Sequence, residues 1–150
     1  AMNQLGDKVM AKNLATRANV PLIPDYRGDD LDNFDVAVIK AAEIGYPVMI
    51  KAVAGGGGRG MRVVRAAEDL ERLYNEARNE AQNAVGNNTI FIEKFVEDPK
   101  HLEVQLLGDN YGNLLHLYER DCSVQRRFQK VVEVAPSFGL KQETRDKLYE

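Results

Sequence analysis

The sequence has few of the features that mark exported, membrane or nucleic-acid-binding proteins. Its only cysteine is Cys122, so no internal disulfide can form and a reducing compartment is favoured. No apolar run is long enough to cross a membrane, and no signal peptide is visible at Ala1. The net charge of −3 argues against a general nucleic-acid binder, which is normally basic. No group of Cys, His and carboxylates has the spacing of a metal site.

The length sets a second limit. The chain has 150 residues, of which 44% are hydrophobic, enough for one domain with a modest core. It ends at Glu150 inside a predicted helix and starts only a few residues before the first predicted element. We therefore expect a piece of a longer protein, for which missing targeting signals mean little.

The most distinctive stretch runs from Pro47 to Arg65 and joins two strand-like runs through a glycine-rich turn. Five of the six residues over Gly55–Gly60 are glycine, so the backbone can take positive φ and turn its N–H groups toward an anion. The turn satisfies G-x-G-x-x-G, but the dinucleotide motif must open a helix, whereas Met61–Arg65 alternates like a strand. No Gly-Lys-Ser/Thr follows, so a Walker A loop is also excluded.

The stretch therefore predicts a hairpin with Lys51 on its first strand. A glycine run at a hairpin tip can be no more than a flexible turn. The lysine and the flanking Arg59, Arg62 and Arg65 favour a flap that covers phosphate.

Periodicity and turn signals predict alternating helices and strands, an α/β chain. The predicted helices cover residues 7–19, 34–44, 67–85 and 142–150, and the strands beyond the hairpin cover 89–96, 101–107, 114–119 and 131–135. The acidic segment 25–33 is predicted to be a surface loop without a site.

Polar side chains interrupt two of the predicted strands. Glu93 and Lys94 lie in an apolar run, which indicates either an edge strand kept soluble by charge or a strand that borders a polar ligand. The next strand places His101, Glu103 and Gln105 on one face and leucine or valine on the other, which is predicted to face the core. A solvated outer face is the commoner explanation for the polar side, and a cleft floor is the alternative.

The segment 119–130 contains four cations and two acids with little apolar content. It is interpreted either as a solvated charged loop or as an anion-binding arm. RNA binding is a poor explanation, since Phe128 is its only aromatic residue. Spacing alone makes Lys8 a solvated surface lysine and His116 a packed histidine rather than a ligand.

Six pieces of the sequence together resemble the biotin carboxylase family of ATP-grasp enzymes. They occur in the family's order, cover essentially the whole chain, and lie at 6–8, 45–51, 55–64, 92–95, 101–105 and 119–136. The segment 111–120 is most similar to the pyruvate carboxylase branch, although acetyl-CoA and propionyl-CoA carboxylases share the core motifs.

The resemblance implies an ATP-grasp fold of the α/β (α+β) class. It implies a leading helix and linker at 1–22, a lid subdomain at 23–95 and the start of the C-terminal subdomain at 96–150. The implied reaction uses ATP, Mg²⁺ and bicarbonate to carboxylate biotin on a carrier domain. The implied partners are that carrier domain, a carboxyltransferase domain and the remainder of the biotin carboxylase domain, in a homo-oligomer of the cytoplasm or mitochondrial matrix.

The resemblance also implies a set of nucleotide-binding residues: Lys8, Lys51, Gly57, Gly58, Met61, Glu93, Lys94, Phe95, Val96, His101, Gln125 and Phe128. Lys8 and Lys51 would contact phosphate, and the strand at 93–96 would contact adenine, partly through backbone groups. Lys130 would hold bicarbonate, and Lys130 and Lys8 are the catalytic candidates. Phe128 departs from the histidine that many relatives carry near the ribose, so stacking or no contact is expected there.

The family's Mg²⁺-binding glutamates have no counterpart in the sequence, so no metal ligand is assigned. We therefore expect the chain alone to bind ATP weakly, to hydrolyse none, and to hold its glycine loop open without nucleotide. Two rivals remain: another ATP-grasp carboxylate–amine ligase or carbamoyl-phosphate synthetase, and a non-catalytic nucleotide-binding module.

Overall fold

The computed structural model describes residues 7–54 and 60–150. Contacts divide the chain into two compact units, the first ending at Val96 and the second beginning at Glu97. Gly57, Gly58 and the expected open state of the glycine loop lie outside the described residues. In the described part of the chain, every helix is too short or too polar to span a bilayer.

In its described residues, the first unit is a four-stranded antiparallel sheet with three helices. Its elements are α1 (Lys8–Arg17), β1 (Asp25–Tyr26), α2 (Phe34–Ile44), β2 (Val48–Ala52), β3 (Met61–Val64), α3 (Leu70–Val85) and β4 (Ile90–Lys94), with 3-10 turns at Asp29–Asp32 and Ala67–Asp69. The strand order is β1-β4-β2-β3. The three helices confirm the sequence periodicity, whereas β1 lies where the sequence predicts a loop.

The helix ends follow from local chemistry. The side chain of Asp7 accepts a hydrogen bond from Met10 N–H at 2.8 Å and caps α1, as predicted. Asn33 caps α2 in the same way. Gly45 and Gly86 end α2 and α3 at φ +83° and +70°, a conformation that costs glycine little.

The strand register separates an apolar face of the first sheet from a polar one. Ile50 of β2 lies opposite Ile92 of β4, and Val48 lies opposite Val64 of β3. These side chains form the core with apolar residues of α2 and α3, among them Ala41. The alternate residues of the strands point to the other face, where the side chains of α1 make their contacts.

Strand β4 is not an edge strand, so that interpretation of its charged pair is wrong. It lies between β1 and β2, with Glu93 opposite both Asp25 and Met49. Glu93 is 5% exposed. A charge in an interior strand must be compensated by nearby cations rather than by water.

The second unit is a three-stranded antiparallel sheet followed by a helix. Its elements are β5 (Leu102–Gly108), β6 (Leu114–Arg126), β7 (Gln129–Val134) and α4 (Gln142–Tyr149), with strand order β5-β6-β7. The prediction of a charged loop over 119–130 is wrong, because β6 continues to Arg126. Only Arg127 and Phe128 form the turn, at φ +50° and +64°.

The predicted core face of β5 is also wrong. Leu102 and Val104 are half-buried, and Leu106 is 55% exposed. The register shifts between Val104 and Leu106, which breaks the alternation on which the prediction rests. The packed residues of this unit lie instead at the middle of β6, where Glu119 and Cys122 are buried.

The core of the first unit should be sensitive to a cavity beneath β2. Ile50 is fully buried, so Ile50→Ala should lower the free energy of unfolding by about 3 kcal/mol. Ile39→Ala removes the same atoms from a residue that is 55% exposed, and should change the free energy of unfolding by less than about 0.5 kcal/mol. Urea denaturation measures both, and equal losses would contradict this core.

Candidate nucleotide and anion sites

A cavity of about 360 Å³, the lysine cavity, lies between α1 and the polar face of the first sheet. Helical spacing brings Lys8, Ala11 and Lys12 to the same stripe of α1, and Lys51 reaches the cavity from the end of β2. The complete lining is Lys8, Ala11, Lys12, Lys51, Met61, Phe91 and Glu93. Three lysines around an open space are suited to an anionic ligand.

Glu93 is the centre of the charges in this cavity. One carboxylate oxygen, Oε1, pairs with Lys51, and the other, Oε2, lies 2.8 Å from Lys12 Nζ. Lys12 Nζ also lies 2.6 Å from Asp25 Oδ2, and Asp25 Oδ1 lies 3.2 Å from Arg27 Nε. Each of the two buried carboxylates therefore has two cationic partners.

The titration behaviour of the cavity follows from this pairing. Burial by itself would raise the pKa of Glu93, but hydrogen bonds from Lys12 and Lys51 outweigh it, and the pKa is lowered. Burial and the charge of Lys51 lower the pKa of Lys8. Lys8 Nζ donates a hydrogen bond to Ala52 O at 2.8 Å. Lys8 is therefore a half-buried contact of the β2 end, and its interpretation as a solvated surface lysine is wrong.

The proposed adenine strand uses several of its polar groups internally. Lys94 Nζ donates to Gly45 O and Tyr46 O, each at 2.9 Å, and so holds the turn that leads into β2. Lys94 N–H donates to Pro24 O, and Phe95 N–H donates to Pro47 O. Val96 follows the strand and is 42% exposed. Met61 lines the lysine cavity.

His101 and Gln125 lie side by side in the second unit. Gln125 Nε2 is 2.7 Å from His101 Nδ1 and also donates to Cys122 O at 2.8 Å. The backbone of His101 is fixed by Ser123 Oγ, which accepts its N–H at 2.9 Å. The pair is half-exposed, so it can meet a ligand, and β6 sets its geometry.

Lys130 lies in a row of alternating charges on the second sheet. It pairs with Glu103 Oε2, while Arg120 pairs with Glu103 Oε1 and lies 3.6 Å from Glu133. The hydrogen bond from Lys130 is the main reason that the pKa of Glu103 falls to about 2, and Glu103 in turn raises the pKa of Lys130. On the polar face of β5, the carboxylate of Glu103 is therefore held by two cations.

Glu119 has a different role from the other charges of its segment. Its buried carboxylate accepts hydrogen bonds from Arg145 Nε at 3.0 Å, from Ser137 N–H at 3.2 Å and from the Tyr149 hydroxyl. These bonds join β6 to α4, so Glu119 is a structural anchor. His116 stacks on Tyr149 with ring centroids 4.3 Å apart, as expected of a packed histidine.

Glu103, Cys122 and Glu133 bring three candidate ligand atoms within 4.8 Å of one another. They do not fit a metal ion, because Glu103 already pairs with Lys130 and Arg120. Burial also raises the pKa of Cys122, which disfavours the thiolate that a metal needs.

Sequence reasoning missed three contributors to these sites: Lys12, Asp25 and Arg120. Lys12 stands four residues after Lys8, so helical spacing could have placed it at the same cavity. Asp25 was assigned to a loop, and its pairing with Glu93 depends on a long-range strand contact. Arg120 could be placed opposite Glu103 only once the register of β5 and β6 was known.

The lysine cavity beside one β-sheet and the row of alternating charges on the other place several cations where an anionic ligand could meet them. The model of the family "Carbamoyl-phosphate synthase L chain, ATP binding domain" matches residues 7–150. The chain therefore belongs to this family of ATP-binding domains.

Individual relatives are more specific. The chain is 55% identical to pyruvate carboxylase of Pichia angusta over 145 residues, 97% of this chain and 12% of that protein. It is 50% identical to the biotin carboxylase domain of Hydrogenobacter thermophilus 2-oxoglutarate carboxylase, a dimer in complex with MgADP, ADP and bicarbonate, with a TM-score of 0.92. It is 49% identical to a biotin carboxylase complex with β,γ-ATP from Campylobacter jejuni, with a TM-score of 0.93.

These likenesses confirm the predicted resemblance to biotin carboxylases and the ATP-grasp fold. Both structural matches cover 99% of this chain, and the chain covers 32% and 33% of the two solved chains. It therefore spans about a third of a biotin carboxylase domain and about an eighth of a pyruvate carboxylase.

The pairing of Lys130 with Glu103 makes a prediction for titration. Glu103→Gln removes the main partner of Lys130, so the pKa of Lys130 should fall toward its ordinary value of 10.5. Glu133→Gln removes an acid of the same row that does not hydrogen-bond Lys130, and should leave the pKa of Lys130 almost unchanged. Lysine ¹³C NMR titration measures the pKa, and a Lys130 that titrates alike in both variants would contradict the pairing.

The anchor at Glu119 predicts a loss of stability in acid. The hydrogen bond from Tyr149, together with Arg145, lowers the pKa of Glu119 from 4.5 to about 2 despite burial. A carboxyl with a depressed folded pKa stabilises the fold above the unfolded value, and this contribution is lost as the pH falls through 4.5 to about 2. Urea midpoints of Glu119→Gln should therefore vary less over this range than those of the wild type. Glu143→Gln, on the exposed side of α4, should show the same change of urea midpoint with pH as the wild type.

Proposed function

We propose that this chain is part of the ATP-binding site of a biotin carboxylase. The whole protein would use MgATP and bicarbonate to carboxylate biotin on a carrier domain. The observation that carries the proposal is the lysine cavity of the first unit, which gathers Lys8, Lys12 and Lys51 beside Glu93. The likeness to biotin carboxylases at about 50% identity supports it.

In this proposal Lys8 and Lys51 bind the phosphates of ATP. Lys51 belongs to β2, and Lys8 of α1 brings its ammonium group to Ala52 O at the end of that strand. The glycine-rich segment follows in the sequence, and Gly57 and Gly58 would add backbone N–H groups to the phosphate contacts. Phosphoryl transfer depends on charge stabilisation at the transferring group, so positioned ammonium groups serve it directly. To bind phosphate, Lys51 must replace its contact with Glu93 by one with a phosphate oxygen. Lys8 must likewise replace its hydrogen bond to Ala52 O.

The remaining nucleotide contacts are proposed from both units. Met61 would pack against adenine, and the segment 93–96 would border it, with Lys94 and Val96 contributing backbone groups. Because Lys94 and Phe95 use their N–H groups within the sheet, their share of this contact would come from carbonyl oxygens or side chains. His101 and Gln125 would contact the nucleotide as a pair, and Phe128 would offer a ring face at its turn.

Lys130 is proposed to hold bicarbonate. Its contact with Glu103 supports this, because a carboxylate has nearly the same planar pair of oxygens as bicarbonate. Bicarbonate would have to displace Glu103 or share Lys130 with it. A bicarbonate oxygen held next to the γ-phosphate can attack its phosphorus, with ADP as the leaving group, and form carboxyphosphate, which must then be kept from water.

The acidic residues of the two candidate sites do not fit Mg²⁺. Asp25 and Glu93 are paired with lysine and arginine, and Glu103 is paired with Lys130 and Arg120. Mg²⁺ requires free carboxylate oxygens in an octahedral arrangement. The metal ligands of the proposed reaction are therefore sought outside these residues, and no step is assigned to the metal here.

The proposal extends to architecture and partners. We assign residues 1–22 to a leading helix and linker, 23–95 to the lid subdomain, and 96–150 to the start of the C-terminal subdomain. The carrier, the carboxyltransferase and the rest of the biotin carboxylase domain are the proposed partners, in a homo-oligomer of the cytoplasm or mitochondrial matrix. The relative from Pichia angusta favours the pyruvate carboxylase branch.

A carbamoyl-phosphate synthetase is the second candidate, because the matching family model bears that name. It would also activate bicarbonate with ATP but would pass the product to ammonia rather than to biotin. The acceptor therefore separates the two candidates.

The first test is nucleotide binding by the 150-residue chain. Isothermal titration should show weak ADP binding that Lys51→Met reduces about tenfold, since a charge-assisted contact to phosphate is lost. Lys147→Met removes an exposed lysine of α4 and should leave the affinity unchanged. The chain alone should hydrolyse no ATP, and a bicarbonate-dependent ATPase signal that Lys130→Ala abolishes would contradict this.

The second test uses the complete protein that carries this segment. Bicarbonate-dependent ATP hydrolysis should be stimulated by free biotin and should fall at least a hundredfold in Lys130→Ala. Lys147→Met again serves as the control. Stimulation by ammonia in place of biotin would favour the second candidate, and no nucleotide binding in either preparation would overturn the proposed function.

A further inference from the structure

Lys12 lines the lysine cavity but faces two carboxylates rather than the open space. Its Nζ lies 2.6 Å from Asp25 Oδ2 and 2.8 Å from Glu93 Oε2. Both acidic side chains are only 6% exposed, whereas Lys12 is 19% exposed. The ammonium group also lies 5.4 Å from the centre of the Phe91 ring. Lys12 is thus held in one place by buried partners.

The two oxygens of Glu93 divide the cations of the cavity. Oε1 pairs with Lys51 and Oε2 pairs with Lys12, while Asp25 keeps a second partner in Arg27. If Lys51 moves to a phosphate, Glu93 still has Lys12. Without Lys12, the same movement would leave a buried carboxylate unpaired, which is costly.

We propose that Lys12 is a positioning residue that neutralises Glu93 and so allows Lys51 to leave it for a phosphate of the nucleotide. The inference rests on the proposed function, because it assigns Lys51 a phosphate partner. Lys12 acts through Glu93 and need not touch the ligand.

Two other roles are compatible with the same position and give different results. Lys12 could bind phosphate directly, in which case Glu93 would be irrelevant to its effect. It could instead be a staple that fixes α1 to the sheet, in which case its loss would disturb all ligands and the fold alike. A ligand without phosphate and a second substitution at Glu93 separate these cases.

The binding test compares ADP with adenosine by isothermal titration. Lys12→Met should weaken ADP about tenfold and leave adenosine within about twofold, because only the phosphates need Lys51. Lys12→Arg should keep ADP affinity, since it preserves the charge. Adding Glu93→Gln to Lys12→Met should restore ADP affinity to within about threefold of the wild type, because no buried charge is left to hold Lys51. Lys147→Met, which removes a lysine of an exposed pair, is the control.

Three results would overturn the inference. A double variant as weak as Lys12→Met would mean that Lys12 contacts the phosphate itself. Equal losses for ADP and adenosine, with a lower Tm, would mean a structural staple. Unchanged ADP affinity in Lys12→Met would mean that Glu93 does not hold Lys51 back.

A measurement without nucleotide keeps this result separate from the proposed function. Carboxyl ¹³C NMR should show that Lys12→Met raises the pKa of Glu93, since a hydrogen bond that lowers it is lost. An unchanged Glu93 pKa would overturn the inference even if ADP binds normally. If neither the chain nor the complete protein binds ADP or adenosine but the Glu93 pKa rises in Lys12→Met, the proposed function fails and the neutralisation of Glu93 by Lys12 stands.

Discussion

The pairing of one buried carboxylate, Glu93, sets the arrangement of the first unit. An interior strand places it among apolar side chains, where an unpaired charge would cost several kcal/mol. Lys12 and Lys51 supply the compensation from a helix and from a neighbouring strand. Helix α1 is therefore held on the sheet largely by charge, since Met10 and Leu14 on its other stripe remain 48% and 44% exposed.

The first sheet divides its two faces between stability and chemistry. The face toward α2 and α3 is closed mainly by isoleucine, valine and alanine side chains, and the ammonium group of Lys94 on this face is bound by Gly45 O and Tyr46 O. The opposite face alternates with it along the strands, so Lys51 of β2 and Glu93 of β4 enter the cavity beneath α1. A period of two along β2 and β4 is thus sufficient to build an apolar core and a charged cavity from the same ten residues.

Local patterns predicted the elements better than their contacts. Asp7, Asn33 and Gly86 end helices by chemistry that lies within a few residues, and three helices were correctly predicted from it. Resemblance supplied the fold and the set of site residues, which helical and strand periods could not supply. The edge-strand and loop interpretations failed because they depend on partners far along the chain: β1 pairs with β4 across more than sixty residues, and β6 runs through a charged segment because β5 and β7 pair with it. Ion pairs such as Lys12 with Glu93 have no local signal at all.

Each of the two units contains a carboxylate that is shared between two cations. Lys51 is paired with Glu93, and Lys130 is paired with Glu103, so these two lysines, each proposed to bind an anionic ligand, already have a carboxylate partner. Such a partner keeps the ammonium group in place and charged, and it lowers affinity for any weak anion that cannot replace it. The second cation at each carboxylate, Lys12 or Arg120, would keep the acid paired when its lysine moves to the ligand. Under the proposed function, selectivity for strongly charged or bidentate anions would then depend on the pairing rather than on the shape of a pocket.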